Sequence, residues 1–209
     1  MKNNILPGGI YGITAEEYSL GRSNLEIVKA MIEGGIKVIQ YREKENMTPG
    51  KKFEECLKIR DLTRKNNVLF IVNDHIDIAQ LVGADGIHLG QDDISIKEAR
   101  KIFKGLIGLS THSPEQARKA VEDGADYIGV GPIYPTKTKK SVCPAVGLEY
   151  LDYVVAKLKI PFVAIGGIKE HNIKEVISHG AKTVALVTEI TGSKDIPGMI
   201  KKLHDHFQD

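Results

Sequence analysis

One design recurs along the chain: GGIKVIQY (34–41), GADGIHLG (83–90), GADYIGVG (124–131) and GAKTVALV (180–187). Each opens on glycine where a helical stretch stops, because glycine adopts the left-handed C-cap conformation at little cost. Each then runs into a short β-rich segment. Four junctions of one kind argue for a βα repeat. Between and around them the sequence predicts strands at 10–14, 38–43, 69–73, 86–89, 106–110, 127–132, 161–166 and 183–188.

The segments between the strands carry helical periodicity. Leu25, Val28, Met31 and Ile32 fall on one face of NLEIVKAMIEGG, and Ala117, Ala120 and Val121 on one face of EQARKAVEDGA. Thr48-Pro49 and Ser113-Pro114-Glu115 are start signals, a cap residue followed by proline in the first turn. Eight strands alternating with helices, and no Pro/Gly/Ser-rich linker, predict one closed (β/α)8 TIM barrel filling residues 1–209 as a single domain. The alternative is an open doubly wound sheet, which usually has fewer strands and a nucleotide-binding loop that this chain lacks.

Composition narrows the function classes. A net charge of +2 in 209 residues supplies no whole-surface field for nucleic acid, so any basic feature must act locally. The start MKNNILPGG has no apolar core of a signal peptide, and no segment approaches the apolar length of a membrane span. Cys56 and Cys143 lie far apart and outside any C-x-x-C pair, which predicts free thiols in a reducing, cytoplasmic setting. Small molecules, rather than nucleic acid or membrane, are the expected partners; self-association into a homo-oligomer is left open.

In a barrel of this kind, chemistry sits where strands end. After the second strand, alternation sends Gln40, Arg42 and Lys44 the same way, and two cations following a polar residue to the rim call for an anion. The third strand ends in Asn73-Asp74, and the fourth runs into HLGQDD (88–93). Carboxylates at neighbouring strand ends suit magnesium, which takes one or two of them and completes its shell with phosphate oxygens and water. Asp74 equally suits the N-cap of the helix beginning HIDIAQLV, and Asp92 or Asp93 the cap of a turn. Ser110, in GLSTHS, points into the mouth or stands near a cap; no G-x-S-x-G elbow surrounds it. His112 reads as a structural or hydrogen-bonding residue, with a general base as the alternative, and His75 and His88 lack the spacing of a helical zinc site. GPIYPTKTKK (131–140) turns abruptly from apolar to basic. AIGGI offers Gly166 and Gly167 on the seventh strand, where backbone N–H groups and the loop after strand eight commonly cradle phosphate.

QYREK, ND, GADGIHLGQDD, GLSTH, GADYIGVGPIYPTKTK and AIGGI, in that order, resemble the thiamine phosphate synthase family over nearly the whole chain. The resemblance implies condensation of 4-amino-5-hydroxymethyl-2-methylpyrimidine diphosphate with a thiazole phosphate, with Mg2+ present and pyrophosphate released. It also implies that Gln40, Arg42, Lys44, Asn73, Ser110 and Lys139 hold the pyrimidine diphosphate. Arg42, Lys44, Ser110 and Lys139 are then the catalytic set. Asp74 and Asp93 would bind the metal, and Thr136, Thr138, Gly167, Val187 and Thr188 would surround the thiazole phosphate. Lys137 and Lys140 are expected to face solvent. Glu189 stands where the family often has a small residue, so its side chain is expected to turn away from the anion. A related thiazole tautomerase shares the barrel and the IGG loop, but would be expected to lack the two carboxylates and the full T-x-T-K loop. A silent phosphate-ligand binder is the third reading the fold permits.

Overall fold

In a computed structural model, which describes residues 5–43, 47–138 and 143–208, the junction residues Gly35, Gly83, Gly124 and Gly180 all have positive φ, between 64° and 93°. The repeated glycine is therefore a helix terminator, as its sequence context requires. Each is followed within a few residues by a strand of one sheet. The strands are β1 (Gly9–Ile13), β2 (Val38–Tyr41), β3 (Leu69–Asn73), β4 (Gly86–Leu89), β5 (Leu106–Thr111), β6 (Tyr127–Val130), β7 (Phe162–Ile165) and β8 (Thr183–Leu186). They pair in that order, all parallel, and β8 closes on β1 to complete an eight-stranded barrel.

Around it lie α1 (Asn24–Glu33), α2 (Pro49–Lys65), α3 (Ile76–Val82), α4 (Ile96–Ile102), α5 (Pro114–Glu122), α6 (Gly147–Lys157), α7 (Ile173–Ser178), α8 (Thr188–Thr191) and α9 (Ile196–Asp205). Their starts are chemically marked. Ser23 and Glu26 form a reciprocal capping box on α1, and the Thr48, Ser95, Ser113 and Asp195 side chains each accept a first-turn N–H. None of the helices among the described residues is long and apolar enough to cross a membrane.

Strand alternation sorts the side chains into two apolar regions. Ile39 and Tyr41 of β2 point outward into the layer shared with the helices, while Val38 points inward, with Tyr11, Ile71, Tyr127 and Val163. The ring of Tyr127 fits inside because its register partner on β5 is Gly108, whose missing side chain leaves the space that ring occupies.

Three details depart from the sequence reading. Val121 is not on the packed face of α5: it is 43% exposed, and Ala117 and Ala120 carry the contact. Ile27, not named among the apolar face of α1, is fully buried there, while Leu25 and Ile32 are only partly so. Several strands stop short of their predicted ends: β2 at Tyr41 rather than residue 43, β6 at Val130 rather than residue 132. Gly131 and Ile133 still donate to Thr111 and Ile165, but Pro132 between them has no N–H to continue the ladder.

Candidate active site

Inward-facing residues near the carboxyl ends of the strands open into one cavity at that end of the barrel. Gln40, Arg42, Asn73, Ser110, Thr136, Thr138, Gly167, Val187 and Thr188 all line it. They come from six different strand ends or the loops after them, so only the closed barrel brings them together. Arg42 leaves β2 with its backbone clamped: the buried hydroxyl of Thr14 accepts from Arg42 N–H at 3.0 Å and contacts Arg42 O at 3.3 Å. Lys44 and Lys139 lie outside the described residues. Lys137 is exposed, while Lys140 also falls outside the description.

A line of buried and half-buried polar groups crosses the cavity floor. Gln40 Nε2 donates to Tyr11 Oη at 2.8 Å, and Tyr11 Oη lies 3.2 Å from Tyr127 Oη. Tyr127 Oη is 3.0 Å from His88 Nδ1, and His88 Nε2 is 2.9 Å from Ser110 Oγ. Burial pushes the Tyr11 phenol up to about 12, and the Tyr127 phenol is pushed up as well, again by burial first and then by Tyr11. Both hydroxyls are therefore neutral at physiological pH and able to donate and accept. Neither tyrosine carries a motif in the sequence, and His88 stands out there only as lacking the spacing of a helical zinc site. The signal available was alternation, since His88 and Tyr127 share their strands' inward phase with Gly86 and Gly129.

His112 also lines the cavity, with Nδ1 2.6 Å from Gly131 O and its N–H donating to Gln116 Oε1 at 2.8 Å. These bonds tie the exit of β5 to β6 and α5. Gln91 Nε2 donates to Ser110 O at 2.6 Å, so the HLGQDD loop braces the serine's backbone.

Asp74 and Asp93 do not line the cavity; they follow β3 and β4 at the same end of the barrel. Asp74 is not the cap of α3: His75 occupies that position, and Asp74 instead takes a left-handed conformation, φ 60°. Its N–H donates to His88 O at 3.0 Å, which holds the end of β3 against β4. Asp93 does close a turn, one oxygen accepting from Gly90 N–H at 2.6 Å. Behind them His75 Nε2 accepts from Lys52 Nζ at 2.9 Å, and burial first, then the Lys52 charge, lowers the His75 pKa.

Opposite, the loops after β7 and β8 are sewn together. Lys169, a cavity-lining cation that sequence reasoning missed although it sits two residues beyond the glycine pair, donates to Thr188 Oγ1 at 2.8 Å. It also pairs with Glu189 Oε2 at 3.1 Å, while Glu189 Oε1 accepts from Glu170 N–H at 3.0 Å. Glu189 is thus engaged by loop seven and does not line the cavity. Gly167 has φ 66°, and a Cβ there would come within 2.7 Å of Pro135 O. Only glycine lets the seventh loop lie against the loop carrying Thr136 and Thr138, whose hydroxyls are 3.2 Å apart. Cys143 lines the cavity and Cys56 is buried; both are free thiols.

Comparison with known proteins bears on this arrangement. The family model described as thiamine monophosphate synthase matches residues 10–190. The thiamine-phosphate synthase of Pelotomaculum thermopropionicum is 63% identical over 203 residues, covering 96% of this chain and 93% of that protein. That of Caldicellulosiruptor saccharolyticus is 59% identical, covering 94% and 89%. The structure of thiamine phosphate pyrophosphorylase from Pyrococcus furiosus superposes with a TM-score of 0.89 at 34% identity, over 99% of this chain and 97% of that one. With a closed barrel, a cavity at the carboxyl ends of its strands and likeness along almost its whole length, the chain belongs to the thiamine monophosphate synthase family.

Proposed function

We propose that the protein joins 4-amino-5-hydroxymethyl-2-methylpyrimidine diphosphate to a thiazole phosphate, giving thiamine phosphate and pyrophosphate. The observation that carries this reading is the convergence of nine anticipated ligand-binding residues on one cavity, in a chain 63% identical to a thiamine-phosphate synthase. Strand ends from all around the barrel contribute, so residues 1–209 act as one functional domain.

In this reaction the bond between the pyrimidine methylene and the diphosphate oxygen breaks, and the thiazole nitrogen forms a new bond to that carbon with its own lone pair. No base is needed to activate the nucleophile. The protein's work is to stabilise charge gathering on the departing oxygens and to hold the thiazole close. Arg42, on a clamped backbone, meets the diphosphate, and Lys44 and Lys139 add positive charge. Gln40, Asn73 and Ser110 orient the pyrimidine. The Thr136 and Thr138 hydroxyls, the backbone at Gly167 and the Val187–Thr188 turn grip the thiazole phosphate. Bond breaking runs ahead of bond making, since the aminopyrimidine ring carries the transient positive charge.

The donor set at the ends of β3 and β4 fits a hard divalent cation. Asp74 and Asp93 provide carboxylate oxygens on adjacent loops, and the turn bond of Asp93 uses only one of its two oxygens. Among the described residues no three or more His, Cys, Asp or Glu side chains gather into a metal cage, and magnesium needs only one or two carboxylates where a diphosphate and water complete its shell. Bound there, Mg2+ would neutralise charge on the leaving group.

The test is to mix both substrates with Mg2+ and look for thiamine phosphate by mass. No product overturns the reading, and magnesium-independent activity on the thiazole phosphate alone would place the chain with the tautomerases. Lys139→Ala is expected to lower turnover about 100–1,000-fold, the usual cost of one well-aimed donor; a change within a few-fold would make that lysine a solvated loop residue. Asp93→Asn is expected to weaken turnover and the magnesium dependence together, and an unchanged magnesium titration would count against the metal assignment.

A further inference from the structure

The polar line across the cavity floor joins two of the residues assigned to the pyrimidine, Gln40 on β2 and Ser110 on β5, through three that have no such assignment. We propose that His88, Tyr127 and Tyr11 are positioning residues that form a hydrogen-bond chain of fixed direction, setting the Ser110 hydroxyl as a donor toward the pyrimidine diphosphate. The inference rests on the function proposed above and adds a specificity device to that site.

The direction follows from which atoms have protons to give. Gln40 Nε2 has only protons to offer, so Tyr11 Oη accepts at 2.8 Å. Tyr11 is 1% exposed, and among the described residues its hydroxyl meets only Gln40 Nε2 and Tyr127 Oη. A buried hydroxyl proton without an acceptor is costly, so Tyr11 donates to Tyr127. Tyr127, fully buried, then has its proton for His88 Nδ1 at 3.0 Å. A neutral imidazole that accepts at Nδ1 carries its proton on Nε2, and that proton points at Ser110 Oγ, 2.9 Å away. Ser110 Oγ is thereby an acceptor on the floor side, and its own proton is left for the cavity that Ser110 lines.

Reversing the chain would need Tyr11 to accept twice and leave its proton without a partner among the described residues. The arrangement therefore favours, at Ser110, a ligand atom that accepts, such as a diphosphate oxygen. Gly108 and Gly129 make the line possible, since side chains there would press on the Tyr127 ring and on His88 respectively.

Tyr127→Phe tests the chain while keeping the ring in place. Without the Tyr127 hydroxyl nothing holds the imidazole to its Nε2-protonated form, and wherever the proton sits on Nδ1 the Ser110 proton turns toward Nε2. The expected result is a KM for the pyrimidine diphosphate raised several-fold, up to about tenfold, the scale of one buried hydrogen bond, with the KM for thiazole phosphate within about twofold of wild type. In a Ser110→Ala background the same change should have no further effect on the pyrimidine diphosphate KM, because no hydroxyl remains to be turned. Additive effects, or equal rises in both KM values, overturn the chain. Nitrogen-15 shifts of the His88 ring give a second reading that does not depend on the variant folding. The Nε2-protonated neutral tautomer is expected in the wild-type protein, and either the Nδ1-protonated form or an imidazolium near neutral pH overturns the chain. Wild-type turnover separates the two levels: a protein that forms no thiamine phosphate defeats both proposals, whereas an active protein with an additive cycle defeats only this one.

Discussion

Asp126 shows how a single side chain serves two elements. It ends the GAD of the third junction, is 7% exposed, and accepts from Ile107 N–H at 2.9 Å while pairing with Arg100 of α4. Asp85, in the GAD of the second junction, repeats the device with Phe70 N–H at 2.8 Å and both guanidinium nitrogens of Arg60. Each carboxylate thus fastens the start of the preceding strand to a helix. Asp126→Ala leaves the Ile107 N–H and a partly buried cation without their partner, and should cost about 2–3 kcal/mol in chemical denaturation. Asp126→Asn keeps an acceptor and should cost about half as much. Turnover per folded molecule should be unchanged in both, because the pair lies at the amino ends of the strands. Gly167→Ala makes the opposite case. It asks a Cβ to fit 2.7 Å from Pro135 O in a left-handed conformation, so the melting temperature should fall modestly. Turnover should drop at least about tenfold as the two loops separate.

Elements were more legible in the sequence than the site they build. Glycine at each junction and cap residues at the helix starts are local signals, and the barrel follows from counting them. Boundaries were less legible, because a strand's end depends on its neighbour: β2 stops at Tyr41 even though alternation in the sequence runs on through residue 43. Alternation sends Gln40 and Arg42 the same way, whereas Asn73 is legible as a strand end and through the family resemblance. The residues that escaped notice, Tyr11, Tyr127 and Lys169, gain their roles from partners far along the chain: Tyr11 and Tyr127 meet across 116 residues. Lys169 is the clearest example at the level of elements. It reaches from the loop after β7 to Thr188 and Glu189 after β8, and fixes both loops with one ammonium group. Lys169→Met should raise the KM for thiazole phosphate about tenfold, as expected for loss of a charged hydrogen bond, and leave the KM for the pyrimidine diphosphate nearly unchanged. Steady-state kinetics with each substrate varied in turn would check this, and an equal effect on both would assign Lys169 to general loop order.

Taken whole, the barrel separates its two tasks by end. Arg42, Asn73 and Ser110 stand at the carboxyl ends of the strands, and the Asp85 and Asp126 ties stand at the amino ends. His204 of α9 belongs to the latter: its ring lies so near Gly9, where β1 starts, that a Cβ on that glycine would be 2.9 Å from Cε1. Burial lowers the His204 pKa from the usual 6.5, with the Lys37 charge adding to that effect and Asp205 opposing it. The unfolded chain, with its imidazole at the ordinary value, therefore binds more protons than the folded one as the medium acidifies. The stability this neutral ring contributes is present in full above pH 6.5 and is lost as pH falls through the lower folded value. His75, also lowered by burial, works in the same sense. Glu16 is raised by burial and by nearby Glu55 and Glu43, which acts in the opposite sense but only in the range where carboxylates titrate. Urea midpoints should accordingly fall between about pH 7.5 and about pH 5.5, and His204→Gln, which has no imidazole to charge, should flatten that fall. The variant's turnover near pH 7.5 should match wild type, since His204 is at the end of the barrel away from the cavity. An undiminished slope in His204→Gln would show that this ring titrates alike in both states, and a loss of turnover would show that the two ends of the barrel are coupled.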